Sequence, residues 1–522
     1  MALLDHVTGL AGSASETPIA LIVAGVVLYL SYFVISDIRQ WWKLRHIPGP
    51  FLSSFTRFPL VKCAWNGRMA YDYHALQKQY GPLFRIAPDT LMYGDADTAR
   101  VVNAVRGGFN KAWWYQGSKH LKDVHNLFSM TNEQDRKVLR EKLAKGYTYG
   151  KDNGIFERRV DNNLERWINL IERKYISTDT ELRPMELAHK AQYFTIDVMT
   201  ELNSSEASGY LEQDKDVDGF IEVNDKFVPW VPTLMAYPAI NTILRSWPFS
   251  ALLGSDGDEV GFGRMIGVTS KRIQKRLDAL EKDKYAGRGD DMMQAFIDSG
   301  LTRDELLAEI MLEFPAGSDS TSNAIRLTML QLITNPPALA ALRHEIDTAT
   351  DHGRISSPIT NAEAMHLPYL QAVIREGLRL YPPATGTMPK CVPKGGLTIH
   401  GYYVPEGTQM AFNIMHLCRD KEVFGEDAHI FNPDRWISAA REDEARYARM
   451  CRTADLIFGN GKYECIGKHI AFLELNKVFV ELLRRYDMAP IDASKPLKVH
   501  DFAFWLVEDF WLKVTRRRKT AV

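Results

Sequence analysis

Phe458-Gly459-Asn460-Gly461-Lys462-Tyr463-Glu464-Cys465-Ile466-Gly467 is a glycine-punctuated loop that presents one cysteine and then runs into an apolar helical pattern from Ala471 to Leu483. Such a loop suits a thiolate that binds iron. Glycine lacks Cβ and tolerates unusual dihedrals, so the backbone can pass close under a flat macrocycle while donors point at the sulfur. Cys465 would then sit at a helix N-terminus, where amides and dipole favour the thiolate. A lone cysteine near glycines is, however, more often a buried structural residue, and other segments have to decide.

Upstream, Thr302 to Glu305 form a capping-box pattern opening a helix that runs to about Thr334, where Asn335-Pro336-Pro337 stops it. Inside it lies Phe314-Pro315-Ala316-Gly317-Ser318-Asp319-Ser320-Thr321. Pro315 removes a ladder hydrogen bond and Gly317 costs ~1 kcal/mol relative to alanine, so a kink or local opening is predicted there. Strain in a buried helix suggests a site. A further helix over Leu367 to Leu380 places Glu376 and Arg379 one turn apart among apolar neighbours, which hints at a buried pair. Phe431-Asn432-Pro433-Asp434-Arg435-Trp436 follows as a loop able to pack on it. Apolar residues every three to four positions over 134–145, 156–174 and 185–202 make the middle of the chain predominantly helical. Leu83 to Ile86, Leu91 to Tyr93 and the region 397–412 read as short strands.

The chain has 522 residues, 45% hydrophobic and 25% charged, with 64 Lys plus Arg against 65 Asp plus Glu. That balance gives no electrostatic reason to expect nucleic acid as a partner. Cys63, Cys391, Cys418, Cys451 and Cys465 form no Cys-x-x-Cys pair, which argues against a zinc module or a disulfide framework. No internal repeat is visible. Pro18 to Ile35 is uncharged and mostly apolar and spans ~27 Å at helical rise, just enough for a hydrocarbon core. With no Lys or Arg before it and Arg39, Lys43 and Arg45 after it, it reads as a signal anchor. The expected division is a luminal stretch 1–17, a transmembrane anchor 18–38, a basic and proline-rich linker 39–50 and a cytoplasmic catalytic domain 51–522. Arg516-Arg517-Arg518-Lys519 reads as a solvated tail.

Ala316-Gly317-Ser318-Asp319-Ser320-Thr321, Glu376-x-x-Arg379, Phe431-x-Pro433-x-Arg435-Trp436 and the Cys465 loop stand in the order and spacing that resemble the cytochrome P-450 superfamily of haem-thiolate monooxygenases, from about Pro48 to the end. Glu141 to Thr148, with the Gly-Lys-Tyr before Cys465, looks like the pisatin-demethylase-like group of ascomycete fungi. The resemblance implies a mainly α fold with small β-sheets, haem b, and oxidation of an apolar small molecule in fungal secondary metabolism. No P-loop or Rossmann glycine motif is apparent. Electrons are therefore expected from a separate NADPH cytochrome P-450 reductase, with cytochrome b5 a second candidate donor, at the endoplasmic reticulum membrane. A haem-thiolate isomerase or dehydratase, or a non-enzymatic haem-binding protein, are the alternative readings.

The resemblance also implies roles. Cys465 is the axial thiolate, and Phe458, Gly459, Gly461, Ile466 and Gly467 shape its loop. On the distal side Gly317, Ser320 and Thr321 share a helix face that could approach bound oxygen, Gly317 leaving room for O2, and Asp319 with the Ser320 hydroxyl is suited to relaying protons. The family usually has threonine where Ser320 stands. Glu376, Arg379 and Arg435 form a structural ion-pair set. Arg136, Arg140 and Lys390 are candidates for the haem propionates, and Tyr463, where the family carries a base, can donate one hydrogen bond. Substrate recognition is expected from 111–130 and 227–237, aromatic and proline-bearing loops around an apolar pocket.

Overall fold

The structure is a computed structural model that describes residues 34–119, 121, 124–150, 154–217, 219–246, 257, 258, 261–283, 285 and 288–518, with Ala24 and Ser31. The expected luminal stretch and most of the anchor over 18–38 lie outside these residues. Residues 34–44 are helical, and no helix among the described residues is long and apolar enough to cross a membrane.

Helices dominate, as the periodicity predicts. The ones that matter for the site are α1 (Met69–Tyr80), α2 (Glu133–Tyr149), α3 (Ile155–Lys174), α4 (Leu187–Ser204), α5 (Phe220–Phe227), α6 (Arg303–Glu313), α7 (Ser320–Ile333), α8 (Pro368–Leu380) and α9 (Lys468–Leu483). Their ends follow local chemistry. Asn132 caps α2 by accepting from the amides of Gln134 and Asp135, and Thr302 and Glu305 form the predicted capping box on α6. Asn335 and two prolines stop α7 and start the next helix.

α7 packs against α4, α8 and α9, and α9 is buried on every side from Leu473 to Leu483. A helix without a solvent face belongs at the centre of a core. The large cluster around it includes Trp167, Phe194, Ile325, Leu332, Ile374 and Phe479.

The strands are peripheral: β1 (Leu83–Ala87), β2 (Thr90–Tyr93), β3 (Asn110–Lys111), β4 (Met185–Glu186), β5 (Lys390–Cys391), β6 (Leu397–Ile399), β7 (Tyr402–Val404), β8 (Gln409–Phe412), β9 (Tyr486–Pro490), β10 (Lys498–Asp501), β11 (Trp505–Glu508) and β12 (Trp511–Arg516). One sheet has the order β1-β2-β8-β5-β3, another β4-β12-β9; β10-β11 and β6-β7 are hairpins. β2 and β8 run parallel with Leu91 opposite Met410, which ties the N-terminal region to the segment between α8 and the Arg435 stretch. Arg516 and Arg517 are not a loose tail, since they pair with Glu172 at 2.6 Å and Asp347 at 2.5 Å.

Candidate active site

The predicted opening in the long helix is a π-helical turn, Phe314–Asp319, between α6 and α7. Proline at 315 cannot donate in the ladder, and the wider turn releases carbonyls that need new partners. Three hydroxyls supply them. Ser318 Oγ donates to the Phe314 carbonyl, Ser320 Oγ to that of Ala316 at 2.5 Å, and Thr195 Oγ1 to that of Ser318 at 3.1 Å. Ala316 is exposed and Ser320 partly so, in the middle of an otherwise buried element. They are not covered by packed atoms.

Widening the turn also changes which residues share a face. Thr321, expected beside Ser320, is buried in packing at 4% exposure. Gly317 does not clear space for O2 as expected: a Cβ there would stand 2.8 Å from Met199 Sδ on α4. Its lack of a side chain serves helix approach.

Asp319 is held at the end of the π-turn by two amides, Gln192 Nε2 on α4 at 2.7 Å and Asn224 Nδ2 on α5 at 2.9 Å. Burial pushes its pKa up to about 7, against the pull of Arg326. A carboxyl poised there can both hold and release a proton near neutrality.

Cys465 lies in the loop before α9, its amide bonded to the Phe458 carbonyl at 2.7 Å. Gly459 and Gly461 have φ of 70° and 60°, and added Cβ atoms would stand 2.7 Å from the Tyr463 carbonyl oxygen and 2.5 Å from that of Asn103. Both glycines are therefore demanded by the turn. Burial pushes the Cys465 thiol up, opposed by the amides of Gly467 and Lys468 and by the Arg140 guanidinium. Yet the residue is exposed by surface area. The thiol is thus desolvated by its surroundings and still accessible to a bound group. Cys418, by contrast, is wholly buried with its pKa raised to about 12, as an inert structural cysteine is. Phe458 packs on Phe472 with ring centroids 5.4 Å apart; Ile466 and Gly467 are partly buried, the latter 3.6 Å from the Tyr147 ring at its Cβ direction.

Beside the loop is a cationic cluster. Lys390 is buried, donates to Tyr115 at 2.6 Å and to the Met388 carbonyl at 2.7 Å, and burial pushes its pKa down to about 7. Arg136 bonds Glu133 at 2.9 Å and the Lys462 carbonyl at 3.0 Å, and Lys462 lies 3.3 Å from Glu133. Although burial opposes its charge, bonds from Arg136 and Tyr463 hold the Glu133 carboxyl below the usual range. Tyr463 departs from expectation. Its hydroxyl is taken by Glu133 at 2.6 Å, and its ring is a platform for Arg136, Lys390 and Lys462 at 4.9, 4.7 and 5.0 Å. Arg136 and Lys462 around one carboxylate, with a Lys390 that a bound anion would keep protonated, leave an excess positive charge in a desolvated place, which suits a dianionic edge of a cofactor.

Below the loop, Arg379 donates to Glu376 at 2.8 and 2.7 Å and Arg435 to the same carboxylate at 3.0 Å. Trp436 Nε1 and the Asn432 amide donate to it at 2.9 Å each. Although burial opposes its charge, Arg379 keeps the Glu376 carboxyl ionised. The pair thus anchors 418–436: Arg379 also donates to the carbonyls of Cys418 at 2.6 Å and Ala428 at 2.5 Å.

Gln192, Asn224, Arg326, Glu133 and Lys462 were not foreseen. Arg326, a lone charge in an apolar helical run, carried a sequence signal; the amides carried none, since their partner is distant in the chain. The segments 111–130 and 227–237 do meet, through Trp114, Tyr115, Phe128, Val231 and Met235. A flat, iron-bearing dianion fits the chemistry of these residues: an accessible thiol, a helix opened at a π-turn, and excess positive charge beside the loop that carries the thiol.

Comparison with known proteins agrees. The sequence model of the family "Cytochrome P450" matches residues 48–508. The chain is similar to "Cytochrome P450 monooxygenase ABA1" of Pyricularia oryzae, 35% identical over 505 residues, covering 95% of this chain and 96% of that protein. It is 34% identical over 481 residues to "Cytochrome P450 monooxygenase aba1" of Botryotinia fuckeliana, covering 91% and 93%. To "Cytochrome P450 monooxygenase mpaDE" of Penicillium brevicompactum it is 30% identical over 509 residues, 95% of this chain and 57% of that one.

Proposed function

The chain belongs to the cytochrome P450 family and is a monooxygenase with haem b as its cofactor, and from that premise we propose that it hydroxylates, or oxidises in a related way, an apolar small molecule of fungal secondary metabolism with electrons from an NADPH cytochrome P450 reductase. The observation that carries this reading is the accessible Cys465 thiol in its glycine-turned loop, together with a long helix opened at Ala316 and furnished with Asp319 and Ser320. When bound, haem supplies O2 activation and oxygen transfer.

The chain's own residues then have separable tasks. Cys465 is the thiolate, its charge supported by the Gly467 and Lys468 amides and by Arg140. Arg136, Lys390 and Lys462 hold the propionates. Trp114, Phe128 and Met235 supply apolar wall where substrate enters. Asp319 holds a proton, and Ser320, with its hydroxyl on Ala316, hands protons to the distal side.

Membrane attachment is part of the proposal. The anchor over 18–38 tethers the domain to the endoplasmic reticulum with residues from about 39 onward on the cytosolic side. Trp42, Phe51, Leu52, Phe58, Trp65 and Trp230 are exposed, and the Trp65 and Trp230 rings lie 6.3 Å apart. Exposed aromatics after an anchor suit the lipid interface.

The reduced, carbon-monoxide-bound protein tests the centre: a thiolate band near ~450 nm, lost in Cys465→Ala and kept in Cys451→Ala, supports it. A hydroxylated product formed only with reductase and NADPH tests the reaction; turnover without NADPH would overturn it in favour of isomerisation or dehydration.

A further inference from the structure

Two ionisable side chains that the reaction does not use meet at one short stretch of chain. Glu309, 3% exposed on α6, accepts the Leu127 amide on Oε1 at 2.7 Å, from 182 residues further along the chain. Lys111, on β3, donates from Nζ to the carbonyls of Leu127 at 2.8 Å and Phe128 at 2.9 Å. The backbone at 127 and 128 is thus gripped from a helix on one side and from a sheet on the other.

The gripped stretch is itself closed into a turn. The Asn126 amide donates to Ser129 Oγ at 3.0 Å and the Ser129 amide to Asn126 Oδ1 at 2.7 Å, and both residues are buried. Leu127 and Phe128 between them stay partly exposed. Phe128 meets Tyr115 and Trp114 edge-on, with ring centroids 5.0 and 6.4 Å apart, and packs on the cluster that contains Met235. Holding this backbone therefore decides where an aromatic ring of the apolar wall stands.

Backbone groups elsewhere are satisfied by water or by uncharged partners, whereas a buried carboxyl and a buried amine both cost desolvation and side-chain entropy. Burial pushes Glu309 up to about 8 and Lys111 well below its ordinary value, while each eases the charge of the other. The bonds survive in either protonation state. A carboxyl oxygen accepts whether or not its partner oxygen is protonated, and a neutral amine still has an N–H for each of the two carbonyls.

We propose that Glu309 and Lys111 form a latch on residues 126–129 that sets which apolar molecules the site accepts, by holding Phe128 in the wall it shares with Trp114 and Met235. Neither latch residue touches substrate. Both are positioning residues that act through Phe128, and the aromatic ring is the specificity-determining group. The inference rests on the reading of Trp114, Phe128 and Met235 as the wall where substrate enters.

Glu309→Leu and Glu309→Gln in the haem-loaded protein test it, with clotrimazole, a bulky arylimidazole, and imidazole itself as the two probes. Asp304→Asn, exposed on the same helix and paired to Arg303 at 3.3 Å, is the control. Leucine removes the acceptor, whereas glutamine keeps one. Glu309→Leu should release clotrimazole about tenfold faster than the wild type and bind it correspondingly more weakly, with imidazole, too small to reach the wall, unchanged. Glu309→Gln and Asp304→Asn should match the wild type with both probes. Lys111→Met should repeat the Glu309→Leu result, and the double variant should add little, since either loss frees the same stretch; it also carries the comparison if Glu309→Leu does not fold. Unchanged clotrimazole release, or an equal change for both probes, overturns the latch. A wild type that shows the ~450 nm band yet binds clotrimazole no more tightly than imidazole removes the apolar wall, and the latch with it; a missing band instead removes the thiolate centre.

Discussion

The Ser320 hydroxyl donates to the Ala316 carbonyl at 2.5 Å, across a turn that Pro315 has already deprived of one ladder bond. The hydroxyl repairs the helix at rest and is free to reorient toward the distal side, so it serves structure and proton transfer in turn. Ser320→Ala should retain the ~450 nm band while product per NADPH falls by about tenfold or more and hydrogen peroxide accounts for the difference. Ser320→Thr should match or exceed the wild type, because the added methyl restricts the rotamer. Measuring NADPH, product and peroxide together checks this; loss of the band in Ser320→Ala would show the hydroxyl to be only structural.

Gly317 and Met199 make a second prediction. A Cβ at 317 would stand 2.8 Å from Met199 Sδ and 3.0 Å from its Cγ, a contact at the end of a flexible side chain that can give way at some cost. Gly317→Ala should destabilise the fold by about 1 to 3 kcal/mol, and Met199→Ala in the same chain should recover part of that. A double-mutant cycle in denaturant reads the coupling. Additive effects would mean that the two residues do not meet.

Glu376 accepts five donors, from Arg379, Arg435, Trp436 and the Asn432 amide. Glu376→Ala strands the Arg379 guanidinium at 0% side-chain exposure, while Arg435 keeps Asp427 at 2.7 Å, a loss of about 3 to 5 kcal/mol. Because the same network fixes the carbonyls of Cys418 and Ala428, the expected outcome is protein purified with little haem. Absorbance of haem relative to protein, before and after added haem, measures it; full occupancy would confine the network to stability.

Much of this was legible in the residues. The Cys465 loop, the Glu376 pair and the opened helix each rest on local chemistry: glycines, a one-turn charge spacing and a proline beside a glycine. What escaped was long-range. The helix pattern predicts an opening at Pro315, but a π-turn rather than a kink decides which side chains share a face, and so Thr321 and Gly317 were assigned the wrong neighbours. Tyr463 reads as a substitute donor because it stands where the family carries a base; Glu133, 330 residues away in sequence, takes that hydroxyl and turns the ring into a platform.

The last prediction concerns pH. Burial raises Asp319 to about 7, Glu313 to about 7 and Glu309 to about 8, all far above an unfolded carboxyl near ~4. The native state therefore binds more protons than the unfolded chain across that interval. The stability these groups contribute is fully present below about pH 4 and is lost as pH rises through the native values. Asp319→Asn removes one of the three without changing shape, and both amides that hold Asp319 can turn to serve the new group. It should raise the melting temperature by a few degrees at about pH 8 and by little at about pH 5, while product formation collapses because an amide cannot carry the proton. A melting series over that range, with coupling measured on the same samples, checks both halves; equal stabilisation at every pH would show that the Asp319 charge is not what the native state is holding down.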